Sequence, residues 1–221
     1  MKWIDRGPEP AGVVGYARQF TQGWIDYFEN SVGARPEDYH WREFRPQLGE
    51  RTGDICWYCE RRCDTTFDSP ERSPTVDHFR PLRRFPALAY AWSNWVYSCR
   101  RCNDNKDDGW PEQGYVDPCA DAAEERPERH FDYDLLTGDI VPRTGLVGVA
   151  RQNALRTIDD LGLNAVDVRY YRHRHTRRFV EDLSALPIGD RQDFAAVFTE
   201  QTAEYAGVTR MVVEQLTDLL R

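Results

Sequence analysis

Lysine is nearly absent from the chain: Lys2 and Lys106 stand alone against many arginines. That bias hints at a GC-rich genome and says little about mechanism. Long apolar runs are missing as well. No stretch approaches the roughly 20 apolar residues that a membrane helix needs, and the opening MKWIDRGPEP has none of the apolar core of a secretory signal. The expectation is a cytoplasmic protein with no membrane partner. Positive charge is short overall, at a net −8, an awkward value for a surface that must grip nucleic acid. Charge acts by patch rather than by sum, however, and Arg80, Arg83, Arg84, Arg100, Arg101 and Lys106 crowd one region. A second basic run, RYYRHRHTRR at 169–178, reads as a solvated helix face ahead of a phosphate-binding one. Internal repeats and low-complexity segments are absent.

What is present suits a globular chain. Its 221 residues, 40% hydrophobic and 13% aromatic, can bury one good core or two small ones. Phe20, Trp24 and Phe28 recur every four residues, the stripe of a packing helix. Residues 31–54, broken by Pro36, Pro46 and Gly53, read as a connector. HFDYDLLTGDIVP alternates apolar and polar positions around Thr137 and Gly138, as a short β-hairpin does. Helical spacing follows in Leu146, Val149, Ala150, Leu155, Ile158 and Leu161, with Gly162 as a stop. Asn164 is placed to cap the next helix, with Asp167 in its first turn. A last helical region starts near Asp190, with Phe194, Val197 and Phe198 on one face, and Val212, Leu216 and Leu219 continue it after Gly207. The pattern predicts an α+β chain: an N-terminal helical segment and connector over 1–54, a motif-dense core with its hairpin over 55–145, and a helical annex over 146–221.

Six cysteines in a chain with no export signal are expected to stay reduced, so their spacing argues for a metal. Cys56-Trp-Tyr-Cys59 and Cys99-Arg-Arg-Cys102 are two CxxC knuckles, each a tight turn that aims two thiolates at one ion. Together they offer the four sulfurs of a closed, tetrahedral structural Zn²⁺ site. Cys63 and Cys119 are left over and read as small buried hydrophobes, with Cys63 close enough to Cys59 to be a rival ligand.

Between and around the knuckles lie Thr75-Val76-Asp77-His78-Phe79-Arg80-Pro81-Leu82 and the segment Trp92 to Lys106, which contains Ser93-Asn94-Trp95 and Cys102-Asn103-Asp104-Asn105-Lys106. Taken singly, His78 is a structural histidine by default, Asn94 a turn residue and Asn103 a helix cap. As a set and in this order they resemble the HNH endonuclease family, whose pattern is a CxxC knuckle, a DHxxP strand, an asparagine before a second strand, and CxxCNxxK opening a helix. The resemblance implies a small ββα-metal core and a phosphodiester hydrolase acting on nucleic acid. It makes His78 the general base, Asn94 the residue that holds the base in its orientation, and Asp77 and Asn103 the ligands of a catalytic divalent ion. The chemistry agrees with these roles. A neutral imidazole is a good proton acceptor near neutral pH, and two oxygen donors favour a hard ion, Mg²⁺ or Mn²⁺, over zinc. Asp77 and His78 are neighbours on a strand, so their side chains must diverge. Lys106, one turn beyond Asn103, is expected to meet a phosphate, and Arg80 and Arg101 are weaker candidates for the same task. His40, His130, His173 and His175 match no motif.

A narrower resemblance rests on YVDPCADAAEERPERHFDYDLLTGDIVP and RQNALRTIDDLGLN. These segments are similar to the nuclease subunit of the bacterial Septu antiphage system and to retron-linked HNH nucleases. That branch implies an effector working beside an ATPase subunit. The competing function is a catalytically silent zinc-binding module that docks nucleic acid or a partner.

Overall fold

In the computed structural model, which describes residues 1–66 and 68–217, Phe20, Trp24 and Phe28 line one side of helix α1 (Ala11–Phe28). Four-residue spacing stacks them on a common face. Trp24 is fully buried and the two phenylalanines pack at the core margin. The ring of Trp24 meets that of Trp41 at 5.6 Å. Trp41 comes from the stretch read as a plain connector, which instead carries a 3-10 turn (His40–Phe44) and helix α2 (Arg45–Glu50). Pro46 lies in the first turn of α2, where a missing N–H breaks no helical bond, so it starts a helix rather than ending one. Trp41, Phe44 and Leu48 are all buried by this segment.

The centre of the molecule is a two-stranded antiparallel sheet. Strand β1 (Pro74–His78) pairs with β2 (Trp95–Cys99), running from Pro74 opposite Cys99 to His78 opposite Trp95. Helix α3 (Arg100–Lys106) follows β2 directly and packs on both strands, which completes the expected ββα arrangement. Residues 76–78 of β1 are all buried, so the alternation of a strand delivers Asp77 and His78 into two separate enclosed environments.

The predicted hairpin forms from β3 (Phe131–Tyr133) and β4 (Ile140–Pro142). Gly138 in its turn has φ +79°, and a Cβ there would fall 2.6 Å from the His173 Cβ, so the position accepts only glycine. Helices α4 (Gly148–Asp160), α5 (Val166–Ala185), α6 (Arg191–Thr199) and α7 (Ala206–Gln215) make the annex. Gly162 stops α4 with φ +61°, pressed so closely on Asn105 that a Cβ would lie 2.7 Å from its Nδ2. No helix among the described residues is long and apolar enough to cross a membrane.

Several details depart from the sequence reading. Val149 and Val197 point outward, 51% and 60% exposed, because Ala154, Thr157 and Ile158 on α4 and Ala195 on α6 take the inward positions. Gly207 lies inside the first turn of α7, where its N–H donates to Glu60 Oε2 at 2.6 Å. Leu219 lies outside the described residues. Asn164 caps nothing, since Ala165 precedes α5. Its side chain instead accepts from Ile140 N and donates to Ile140 O, both at 2.8 Å, which fastens the hairpin to the α4–α5 corner.

The basic run at 169–178 splits in two on α5. Arg174, Arg177 and Arg178 are exposed, but Arg172 is fully buried. Its guanidinium donates to Gly138 O at 3.0 and 2.7 Å, to Leu163 O at 2.8 Å and to Asn164 Oδ1 at 2.8 Å. A fixed fork of donors satisfies three carbonyl-type acceptors, two of them buried backbone oxygens. Replacing Arg172 with Met keeps the bulk and strands the buried Gly138 and Leu163 carbonyls, so a loss of about 3 kcal/mol of stability is expected. The check is the urea midpoint at constant m-value; a midpoint equal to that of the parent would show the acceptors find other partners.

Candidate active site and zinc centre

The first knuckle is built by backbone geometry. Glu60 N donates to Cys56 O at 3.0 Å, Cys56 N to Arg61 O at 2.9 Å, and Cys63 N to Asp54 O at 2.7 Å, curling the chain around Cys56 and Cys59. Trp57 N donates to Tyr97 O at 2.9 Å, which joins the knuckle to β2. The second knuckle is the junction of β2 and α3, where Cys99 ends the strand and Cys102 lies in the first turn of the helix. All four sulfurs are buried and lie within 4.8 Å of one another. Cys59 and Cys99 are 3.9 Å apart, against an edge of about 3.8 Å for a tetrahedron with Zn–S bonds of about 2.3 Å. The sulfur neighbours, Cys102 first, hold the Cys59 thiol well below its usual range, whereas burial pushes Cys56 up and the adjoining sulfurs push Cys102 up. Without a cation the four compete for little negative charge; a dication ends that competition. The residues fit zinc. Cys63 is buried outside the four-sulfur group, and burial raises its thiol. Cys119 is partly buried and its thiol is pushed up to about 12, again mainly by burial.

Asp77 and His78 leave β1 on opposite sides. The Asp77 carboxylate accepts from the Tyr58 hydroxyl at 2.6 Å on one oxygen and from the Lys106 ammonium at 2.9 Å on the other. Burial raises its carboxyl above the usual range while Lys106 and Tyr58 oppose the shift. His78 turns toward the segment after β1. Its Nε2 lies 2.8 Å from Ala89 O, and its ring stands edge-on to Trp41 at 4.7 Å. A carbonyl only accepts, so Nε2 carries the hydrogen and Nδ1 holds the lone pair. Burial lowers the His78 pKa to about 4, which keeps the ring neutral at physiological pH, the form able to take a proton. Trp95 Nε1 also donates to Ala89 O, at 3.0 Å, fixing the carbonyl that fixes the imidazole.

Asn94 does not touch His78. Its Oδ1 accepts from Arg80 N at 2.8 Å and its Nδ2 donates to Arg80 O at 3.0 Å, a two-point clamp on the backbone just beyond the base. Any orienting effect therefore passes through the chain. Asn103 sits at the middle of α3 and donates from Nδ2 to Thr75 Oγ1 at 3.1 Å, two residues short of Asp77 on the same strand face. Lys106 requires a correction. It was expected at the surface, yet it is 2% exposed and its ammonium is spent on Asp77 and on His78 O at 2.8 Å. Arg101 is likewise turned aside, paired with Asp167 at the start of α5. Arg80 is exposed, its guanidinium 6.0 Å from the Phe85 ring and near enough to Asp117 to oppose the rise of that carboxyl.

The sequence reading missed Tyr58, Trp41, the Ala89 carbonyl and Thr75. Only Tyr58 carried a signal, being a polar aromatic locked between two cysteines. It also passed over Asp117, a mostly buried residue whose carboxyl burial pushes up. Asp117 lines a cleft of about 610 Å³ with Arg6, Phe79, Arg80, Leu88 and Asn94. A catalytic divalent ion does not fit the arrangement around Asp77 as it stands. Each oxygen of Asp77 already has a donor, the Asn103 amide is directed at Thr75, and the four cysteines are the only group of three or more Cys, His, Asp or Glu ligands among the described residues.

The two knuckles, the DH strand and the helix that follows are all contained in residues 56–109, and that segment matches the family model described as HNH endonuclease. Residues 56–109 are similar to HNH endonucleases. The wider chain is similar to the Septu protein PtuB of Bacillus thuringiensis, with 26% identity over 174 residues. The match takes in 77% of this chain and 58% of the relative, so the chain spans little more than half of that protein's length.

The four-cysteine cluster should hold one zinc per chain. Structural zinc supplies about 10–16 kcal/mol in isolated fingers, comparable to the about 5–15 kcal/mol that stabilises a whole domain. Chelation, or Cys99→Ser, is therefore expected to abolish the near-ultraviolet dichroism of the tryptophans around the knuckles. Native mass spectrometry gives the stoichiometry; a zinc-free chain with an unchanged spectrum would remove the metal from the account.

Proposed function

We propose that the chain is a metal-dependent HNH endonuclease that hydrolyses phosphodiester bonds in nucleic acid, with DNA favoured over RNA. In this reading it is the cytoplasmic effector of a bacterial antiphage defence system and works with an ATPase subunit. The observation that carries the proposal is His78: a neutral imidazole, its Nε2 tied to Ala89 O at 2.8 Å, at the end of a strand within the segment that matches the HNH model. His78 Nδ1 accepts a proton from water as the oxygen attacks phosphorus, and the P–O bond to the leaving group breaks. A base so placed contributes about 10²–10⁴-fold. Arg80, exposed beside the Asn94 clamp, is the side chain best placed to meet a phosphate. Dependence on Mg²⁺ or Mn²⁺ belongs to the proposal, as do Asp77 and Asn103 as its ligands.

The defence role and the partner rest on the likeness to the Septu protein. The net charge of −8 supports a subunit brought to its substrate by a partner, because each neutralised phosphate adds salt-dependent affinity that this surface offers sparingly. The silent zinc module remains the second reading, favoured by the Lys106–Asp77 contact.

The test is incubation of plasmid, single-stranded DNA and total tRNA with the protein in Mg²⁺ or Mn²⁺, with and without the ATPase, beside His78→Ala. Divalent-dependent cleavage that falls at least about 10²-fold in the variant is expected. Zinc-loaded protein that cuts none of the three substrates even with the partner would favour the silent module.

A further inference from the structure

The end of α1, the turn that follows β1 and the residues that follow α3 enclose a hollow of about 630 Å³. That volume falls within the roughly 300–1,000 Å³ of small-ligand sites. Two aromatic rings and two arginines line it. Tyr27 and Phe28 meet edge-on at 4.9 Å and 70°, so their rings form a corner rather than a flat wall. Arg35 and Arg83 come from separate segments. Arg35 is exposed and has no ion pair or side-chain hydrogen bond among the described residues. Asp108 is the single carboxylate in the lining among the described residues. Its contact with Arg83 spans 3.7 Å between two exposed groups, a pair that water screens and an incoming phosphate can replace. We propose that this hollow is a subsite for one unpaired nucleotide of a nucleic-acid strand, with the base lodged against Tyr27 and Phe28 and a phosphate between Arg35 and Arg83.

The inference rests on the nuclease reading for the presence of a nucleic-acid substrate, and on geometry for its place. Two walls of the hollow are tied to the strand that carries His78. The turn bearing Leu82 and Arg83 is braced, because Asn94 clamps the Arg80 backbone and Arg84 N and Phe85 N donate to Pro81 O at 3.0 and 2.9 Å. Arg84 Nη1 adds a bond to Trp110 O at 2.6 Å. In the second wall Asp108 stands two residues beyond Lys106, whose ammonium holds His78 O at 2.8 Å. From the aromatic corner a chain of rings runs to the base: Phe28 to Trp24 at 6.0 Å, Trp24 to Trp41 at 5.6 Å, and Trp41 to His78 at 4.7 Å. A nucleotide in the hollow is therefore three ring contacts from the imidazole. Stacking on an aromatic face is indifferent to sequence and needs a base free of its pairing partner, which selects a single strand over a duplex. The two arginines supply positive charge in a chain whose net charge is −8. Asp26, on the same end of α1, is already engaged by the Gln22 and Asn30 amides at 2.9 and 3.0 Å.

The zinc-loaded full chain is titrated into a labelled oligothymidylate of about 20 nucleotides, or into a duplex of the same length, with no added divalent ion, and fluorescence anisotropy reads the binding. The parent is expected to bind the single strand more tightly than the duplex. Tyr27→Ala is expected to weaken single-strand binding about tenfold, the effect of one lost stacked base, and Tyr27→Phe, which keeps the ring, to bind as the parent does. Arg35→Gln and Arg83→Gln should each reduce the slope of log K against log[salt] by about 0.7, one phosphate contact on a single strand. Thymidine monophosphate at equal nucleotide concentration is expected to leave the strand bound; full displacement would assign the hollow to free nucleotides and overturn the proposal. Parental affinity in Tyr27→Ala overturns it as well, as do unchanged slopes in both arginine variants, or a parent that binds no single strand. If Tyr27→Ala does not fold, the salt slopes of the two exposed arginines decide alone. Cleavage is not read, so a catalytically silent protein can pass this test and an active nuclease can fail it.

Discussion

Everything near β1 hangs on the convergence of four cysteine sulfurs. Cys56 and Cys59 lie at a tight turn and Cys99 and Cys102 at a strand-to-helix junction, and their sulfurs come within 4.8 Å of one another. Bringing such distant segments together costs loop-closure entropy that a two-stranded sheet cannot repay from its own hydrogen bonds. A zinc ion on the four sulfurs would meet that cost locally. With the knuckles closed, β1 is trapped between α3 and the N-terminal aromatic cluster, and its alternate side chains have no choice of surroundings. The diverging environments of Asp77 and His78 follow from this closure rather than from any preference of the two residues.

The two environments are tuned in opposite senses. His78 meets a carbonyl and aromatic edges, which disfavour charge and leave a neutral ring. Asp77 meets a hydroxyl and an ammonium, which favour charge against the pull of burial. A buried ion pair of this kind contributes little net stability, because desolvation consumes most of the Coulomb gain. What it gives is specificity: a carboxylate held in one orientation at the foot of a helix, with removal of either partner strongly penalised.

Much of this was legible from spacing, because the knuckles, the DH pair and the hairpin are local patterns whose geometry follows from a few consecutive residues. Residue type and period said nothing about which carbonyl His78 would find, since Ala89 contributes no distinguishing side chain. Trp41 was hidden by the prolines around it, which suggested a connector where one of them begins a helix. The basic run on α5 misled in the other direction. An arginine reads as surface from sequence, yet Arg172 is a core residue because the hairpin turn and the α4–α5 corner expose carbonyl oxygens that only a forked donor can satisfy together. Lys106 misled similarly: its place one turn after Asn103 was read correctly, and the length of its side chain carried the charge inward instead of out.

The position of Tyr58 between the two cysteines of the first knuckle has a consequence for synthesis of the chain. A ribosome that has made only the first ninety residues has produced Asp77, His78 and Tyr58, but neither the second pair of sulfurs nor Lys106. In such an unfinished product the carboxylate has no ammonium, the strand has no pairing partner, and the knuckle has two sulfurs where an ion needs four. Translation fragments of this length therefore cannot build the ββα arrangement, which forms only after β2 and α3 have been made.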